Sequence, residues 1–592
     1  MTTTLGTHLN TLESTSLIRL AATLPEVEYL FRHALVQEAA YHSLVKSDRR
    51  YLHRMVGETL ERLYPDRANE LAVPLARHFD EAGDDLRALR YSALAGDNAL
   101  AQYANAEAIM HYTRALEIAK RTPGVEDTLL VHLYSRRGRA LELHAQDADA
   151  LANYEELEAI AEERGDRAME LAGMVARATV YLKPVSVRDP DKGQALSERA
   201  LALARELGDR ESEAKALWSL LQFFKWTGRM AEAQAHGEQA LAIARELNLR
   251  ELTAYAWHDL SSVYLVNGQF QQALAAMNEA ERLWRELGIL NMLADSLASF
   301  AELQVMIGDY DRAITVSREA LQISQAIGNL WNQSYSLYMI DLAYLDRGET
   351  GQAIEIAEEC LRLAQQAGFV PGILQSVLDL TLIYGTLGAL HLGYEAAERS
   401  RGWAEDMPII GLLDHVMIAR LHLLSGRLAE AQEIFDEAQR NVEAKSLPSY
   451  LAWFMGIVEA ELALATGDHA RVLAVTDEGI PFLRQAGIRL FFADVLYTRG
   501  RALGALDRAD EAYAMLKEAR AEAEAIGARR ILWQIMLTLS DLEALHGHHA
   551  EAESLRQQAR EIIGYIADHT GSPELRASFL GLPDVQRAMS KA

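Results

Sequence analysis

The chain has 592 residues, about four times the roughly 150 of one compact domain, and its 50% apolar content with 12 prolines against 37 glycines excludes collagen-like and low-complexity chains. Its 58 Lys and Arg against 85 Asp and Glu leave a net charge of −27, which repels phosphate backbones and anionic lipid, so neither nucleic acid nor membrane is an expected partner. The single cysteine, Cys360, excludes an internal disulfide and a thiolate metal site, and without a signal-peptide pattern or an uninterrupted apolar run of spanning length the expected compartment is the cytoplasm.

Residues 1–23 carry no repeat pattern and are read as a flexible N-terminal segment. Residues 24–66 are read as helical but do not fit the repeat that follows. Within them His33, Arg49, Arg50 and Arg54 form a mildly basic face, either solvated or in contact with another domain. From 67 to 182 irregular helix pairs are predicted, marked by Gly83, Ala88 and Ala95, by the helix-forming run Asn105–Lys120, and by Gly138 and Ala150. Residues 183–192, KPVSVRDPDK, hold two prolines and predict a loop inserted between the two helices of one repeat.

The stretch 193–563 is a regular array. A turn residue recurs at Gly228, Gly268, Gly308, Gly348, Gly388, Gly426, Gly467, Asp507 and Gly547, in steps of 38 to 41. A second ladder interleaves at Gly208, Asn248, Gly288, Gly328, Gly368, Met407, Ser446, Gly487 and Gly527. A fixed period in this range is the mark of a stacked array. Between the ladders lie runs of Ala, Leu, Glu, Gln and Arg with helical apolar spacing, so each period predicts two antiparallel helices stopped by a left-handed C-terminal residue. The unit Trp257, Leu260, Ser261 and Tyr264, then Gly268, Phe270, Ala273 and Ala280, resembles the tetratricopeptide repeat (TPR) signature, whose small residues let paired helices approach closely. The resemblance runs from Leu71 to about Ala559 and implies an all-α, right-handed TPR-like superhelix. Residues 564–592 are read as a C-terminal cap.

The run Phe31–Tyr41, with Arg49, Arg50, Leu52 and His53, resembles the helical segment that follows the nucleotide-binding module in signal-transduction ATPases with numerous domains. So do LARHFDEAGD, ANAEAIMHYTRALEI and the terminal PELRASFLGLPDV (Pro573–Val585). Many members join a nucleotide cyclase or a DNA-binding domain to such an ATPase and a TPR tail. The phosphate-binding loop G-x-x-x-x-G-K-[ST] is missing, since no Gly-Lys dipeptide occurs, and only some 24 residues precede the matching segment. The resemblance therefore implies the sensor half of such a protein, with an ATPase or cyclase as a separate partner and no nucleotide hydrolysis.

No HExxH, GxSxG, EF-hand loop or paired CxxC is present, so neither an enzyme nor a cofactor or metal is expected. His546, His548 and His549 lie on a ladder turn and are read as solvated; Cys360 takes a small crossing position and is read as buried and inert. The first helix of each TPR pair lines the concave face. Its inward positions carry Lys215, Trp218, Gln222 and Lys225, then Tyr255, His258 and Ser262, then Asp295 and Glu302, then Tyr335 and Tyr338. Aromatic and amphipathic side chains suit a protein or peptide partner held in the groove, or ordinary packing between long helices. The expectation is a non-catalytic scaffold or sensor in bacterial signalling; the alternative is the effector-sensing arm of a separate ATPase, cyclase or transcription regulator.

Overall fold

The structure, a computed structural model, describes residues 2–22, 27–102, 104–183, 187–400, 403, 408–443 and 449–590. These divide into two compact units, Met1–Ser219 and Leu220–Ala592. Both are built of consecutive antiparallel helix pairs, each helix packed on its neighbours in sequence, which is a TPR-like array.

The turn ladders work as the glycine spacing predicts. Every member of the first ladder has positive φ, including Asp507 at 59°, and so does every described member of the second, including Asn248 at 54°. Met407 and Ser446 lie outside the described residues. Left-handed backbone costs a residue with a Cβ about 1 kcal/mol, and glycine avoids that cost while its N–H closes the last helical turn. The small residues also sit where the period places them. Ser261, Ala273 and Ala280, Ala301, Ala313 and Ala320, and Ala419, Ala431 and Ala438 are all buried to 1% exposure or less.

The first unit departs from the sequence reading at its start. Residues 1–23 are not an unstructured lead: Thr2–Ser14 is helical, and Ile18–Ala22 pairs antiparallel with Glu28–Phe31. Residues 24–66 are accordingly not helical throughout; the helices begin at Ala34–Ser43 and Lys46–Leu63. The ribbon leaves Leu20, Leu30 and Phe31 exposed, so its strands lack the half-buried alternation by which strands are recognised. Farther on, the loop predicted at 183–192 is shorter, because Pro190 opens the helix Pro190–Leu207 and the Asp189 carboxylate accepts the Lys192 N–H at 3.1 Å. Proline suits a first helical turn, where its missing N–H has no partner to lose. Residues 184–186 lie outside the described residues.

The second unit carries contacts between repeats far apart in sequence. Ile526, Ile566 and Leu582 pack on the turn glycines Gly308, Gly348 and Gly388 so closely that a Cβ there would fall 2.5, 2.7 and 2.7 Å from them. The Met306 carbonyl accepts the N–H of Arg489 at 2.8 Å and of Leu490 at 3.1 Å, and the His569 carbonyl accepts that of Gly351 at 2.7 Å. At the centre the Arg530 guanidinium donates to Asp346 at 2.7 Å and, through both terminal nitrogens, to Asp494 at 2.7 Å. The Tyr310 hydroxyl adds a 2.5 Å bond to Asp346, and all three charged side chains are buried. The edge of the early repeats is thus fastened to the edge of the late ones.

Removing one partner of a buried ion cluster leaves the others charged in a medium that solvates them poorly, at about 3–5 kcal/mol. Arg530→Met is therefore expected to speed hydrogen exchange at Leu345–Gly351 and Ile488–Leu490 while leaving the helix Asn105–Arg121 unchanged. Adding Asp346→Asn and Asp494→Asn is expected to restore protection. Unchanged exchange in the single variant would show that the cluster does not hold these edges.

Candidate functional site

The predicted inward positions fall on the first helices of successive pairs, Arg210–Trp226, Arg250–Val266 and Leu290–Met306. The fourth such helix differs from the expectation of one continuous element. It breaks into Leu330–Leu337 and Ile340–Arg347, with Met339 at φ 60°, so Tyr338 sits in the break and not on a helical face. Nothing in the residue types Tyr338-Met339 announces a left-handed turn, which is why periodicity missed it.

In the first unit Lys215 is exposed and bonded to Glu211 at 2.6 Å, and Trp218 is half-buried. In the second unit the polar members form lateral links from one repeat to the next. Lys225 Nζ meets Asp259 Oδ1 at 2.6 Å, and the Gln222 amide donates to the other oxygen of the same carboxylate. Burial pushes the Asp259 carboxyl up, but Lys225, His258 and Gln222 together outweigh it and hold the group below its usual range. His258 bonds Ser296 at 2.8 Å and lies 3.4 Å from Asp295, while Ser262 Oγ donates to the Asp259 carbonyl at 2.8 Å. Burial raises the Asp295 carboxyl, with His258 and Lys225 opposing and the Asp259 charge reinforcing.

The next link is Tyr335, whose hydroxyl is 3.0 Å from Ser299 Oγ and 3.5 Å from Glu302 Oε2. Burial pushes Glu302 up to about 7, against the pull of the Tyr335 hydrogen bond. The aromatic members are engaged within the chain: Tyr255 meets Trp284 edge-on at 4.8 Å, and the Tyr335 ring packs against Trp331, Tyr338 and Phe369. Only Trp331 of that group, a residue the groove register did not select, is as much as 36% exposed.

The same register continues beyond Tyr338 into the later repeats. The position six residues before each first-ladder turn is Gln222, Ser262, Glu302, Leu342, Leu382, Arg420, Glu461, Arg501 and Asp541. Arg420, Glu461 and Arg501 line a cavity of about 360 Å³ inside the second unit, with Asp494, Tyr497, Gln534, Trp533, Phe579 and Leu582. The signal was present in the 40-residue alignment.

Cys360 is buried and its thiol is pushed up to about 12 by burial, which keeps it protonated and unreactive. His548 pairs with Glu543 at 2.6 Å, and among the described residues no group of three or more His, Cys, Asp or Glu side chains is placed to hold a metal. No helix of the described residues is long and apolar enough to cross a membrane.

The family comparison agrees with the repeat architecture. The tetratricopeptide repeat family matches in two overlapping windows, residues 222–286 and 252–326. No curated protein matches the chain significantly. Among solved structures, a Rap protein complexed with competence and sporulation factor is 12% identical, over 74% of this chain and 98% of that one, with a TM-score of 0.39. A signal-transduction ATPase with a tetratricopeptide repeat sensor from Pyrococcus horikoshii is 13% identical over 76% of this chain and 60% of that one, at 0.43. The Cut9–Hcn1 hetero-tetramer of APC/C is 11% identical over 92% and 97%, at 0.46. Similarity at this level concerns helical repeats alone and carries no activity across.

A carboxyl held near 7 in the folded state and near 4.5 unfolded favours folding when protonated, so its contribution is complete below pH 4.5 and is lost as pH rises through 7. Glu302→Gln keeps the neutral form at all pH. The variant is expected to match the native protein at pH 4.5 in urea denaturation and to exceed it at pH 8 by about 3 kcal/mol. Equal stability at both pH values would show that Glu302 ionises freely.

Proposed function

We propose that the chain is a non-catalytic TPR scaffold of bacterial signalling that takes a segment of a protein partner along the inner helices of its second unit. The observation that carries this reading is the lateral file Gln222 and Lys225 to Asp259, His258 to Asp295, and Ser299 and Glu302 to Tyr335. Each link spans adjacent repeats, which sets the inner side chains in a fixed order before any partner arrives. An extended segment can follow such a row, whereas a catalytic site needs acid, base or nucleophile converging on one point.

The test is capture from lysate with the intact chain and with Gln222→Ala/Ser262→Ala, two half-buried members of the second unit's inner positions. The double variant is expected to lose the partner with a melting shift under about 2 °C. A large melting shift assigns both residues to packing, and undiminished capture removes them from the binding face.

A second reading, the regulatory arm of a separate ATPase, cyclase or transcription regulator, is favoured by the opening of the first unit. There Leu30, Phe31, Leu35, Tyr51 and Met55 are exposed, and the helix Ala34–Ser43 buries none of its side chains. Apolar surface concentrated in this way marks a face made for another protein. Leu30→Glu/Leu35→Glu is expected to abolish capture of a phosphate-loop protein and leave groove-dependent capture intact.

A further inference from the structure

We propose that the cavity at Arg420, Glu461 and Arg501 is a binding site for a small organic anion, an acidic group on a flat apolar body. The inference rests on the inner-helix register used above but concerns other repeats and another kind of ligand. Its volume of about 360 Å³ falls within the range that encloses small molecules.

The charges on its wall are matched in pairs except one. Arg420 spends Nε and Nη2 on Glu461 at 2.8 and 3.2 Å, Arg530 is held by Asp494 and Asp346, and Asp584 lies 3.4 Å from Arg587. Arg501 has no carboxylate within ion-pair distance among the described residues; its guanidinium lies 5.7 Å from the centre of the Tyr497 ring. It is exposed toward solvent while lining the cavity, so its charge is available without breaking a bond of the fold. Arg420 adds an Nη1 that is buried and makes no hydrogen bond.

Beside these cations, the three carboxylates and the polar Thr498 and Gln534, the wall carries an apolar and aromatic stretch. Trp533 meets Phe579 edge-on at 6.3 Å, and Leu423, Leu582 and Ile531 complete it. A bare inorganic anion would leave that surface in contact with water, and an uncharged hydrocarbon would make no use of the Arg501 charge. A molecule with both parts satisfies the two at once. In a chain of net charge −27 an anion gains nothing from the general field, so recognition has to come from this local cation.

The probe is 1-anilinonaphthalene-8-sulfonate, an aromatic sulfonate, set against its uncharged relative N-phenyl-1-naphthylamine, both followed by fluorescence on the full chain. The sulfonate is expected to show one saturable tight phase, at least tenfold tighter than the uncharged dye. Arg501→Gln is expected to abolish that phase, leaving the neutral dye and the melting temperature unchanged. Equal affinity for the two dyes, or a tight phase that survives Arg501→Gln, overturns the proposal. Loss of the phase together with a fall in melting temperature is resolved by Arg501→Lys, which restores binding if the charge is what the ligand reads and fails to restore it if the proposal is wrong. Partner capture is measured separately, so either reading can fail alone.

Discussion

A guanidinium buried between two carboxylates is the interaction on which the second unit turns. Repeats in a solenoid touch only their neighbours, and small rotations accumulate along the stack with nothing to fix their sum. Arg530 fixes it by bonding Asp494, one period away, and Asp346, far earlier in the chain. Burying such charges is costly and adds little net stability compared with apolar packing. What it supplies is selectivity of register: an apolar contact at this point could slide by a residue, whereas a bidentate bond to Asp494 and a single bond to Asp346 could not.

That fastening gives the inner helices different surroundings along the array. The recurring inward position is polar at Gln222, Ser262 and Glu302, with Gln222 and Glu302 bonded to the next repeat, apolar and buried at Leu342 and Leu382, and charged at Arg420, Glu461 and Arg501. One structural position therefore has three chemical environments. The first is an ordered row, the second is core, and the third faces a partly open cavity lined in part by residues of the C-terminal helices Pro573–Leu580 and Pro583–Met589.

Much of this was legible in the sequence, and the exceptions have physical causes. The turn ladders were readable because left-handed backbone restricts residue choice, and the crossing alanines because helix approach restricts size. The ribbon at Ile18–Ala22 was not, since two short exposed strands bury no alternating face. The helix break at Met339 has no residue-type signature. Asp346 did carry a signal: it stands two residues before its turn, where the other repeats have Trp226, Val266, Met306, Thr386, Leu424, Ala465, Ala505 and Leu545. A lone charge among those residues marks a partner from outside the neighbouring repeats, although only the folded structure names Arg530. The lateral pairs of the inner face were hidden for the same reason, because spacing identifies a face but not which side chains on it meet.

The edge-to-edge fastening also bears on how such a gene can change length. Open repeat arrays grow and shrink by unequal crossing-over, because an extra unit simply extends the stack. Here Gly308, Gly348 and Gly388 meet Ile526, Ile566 and Leu582 one after another. Duplicating a unit inside that span would carry Asp346 out of reach of Arg530 and bring every later turn against the wrong neighbour. The number of repeats between the two edges is thereby held fixed, and variation in length is confined to the units outside it.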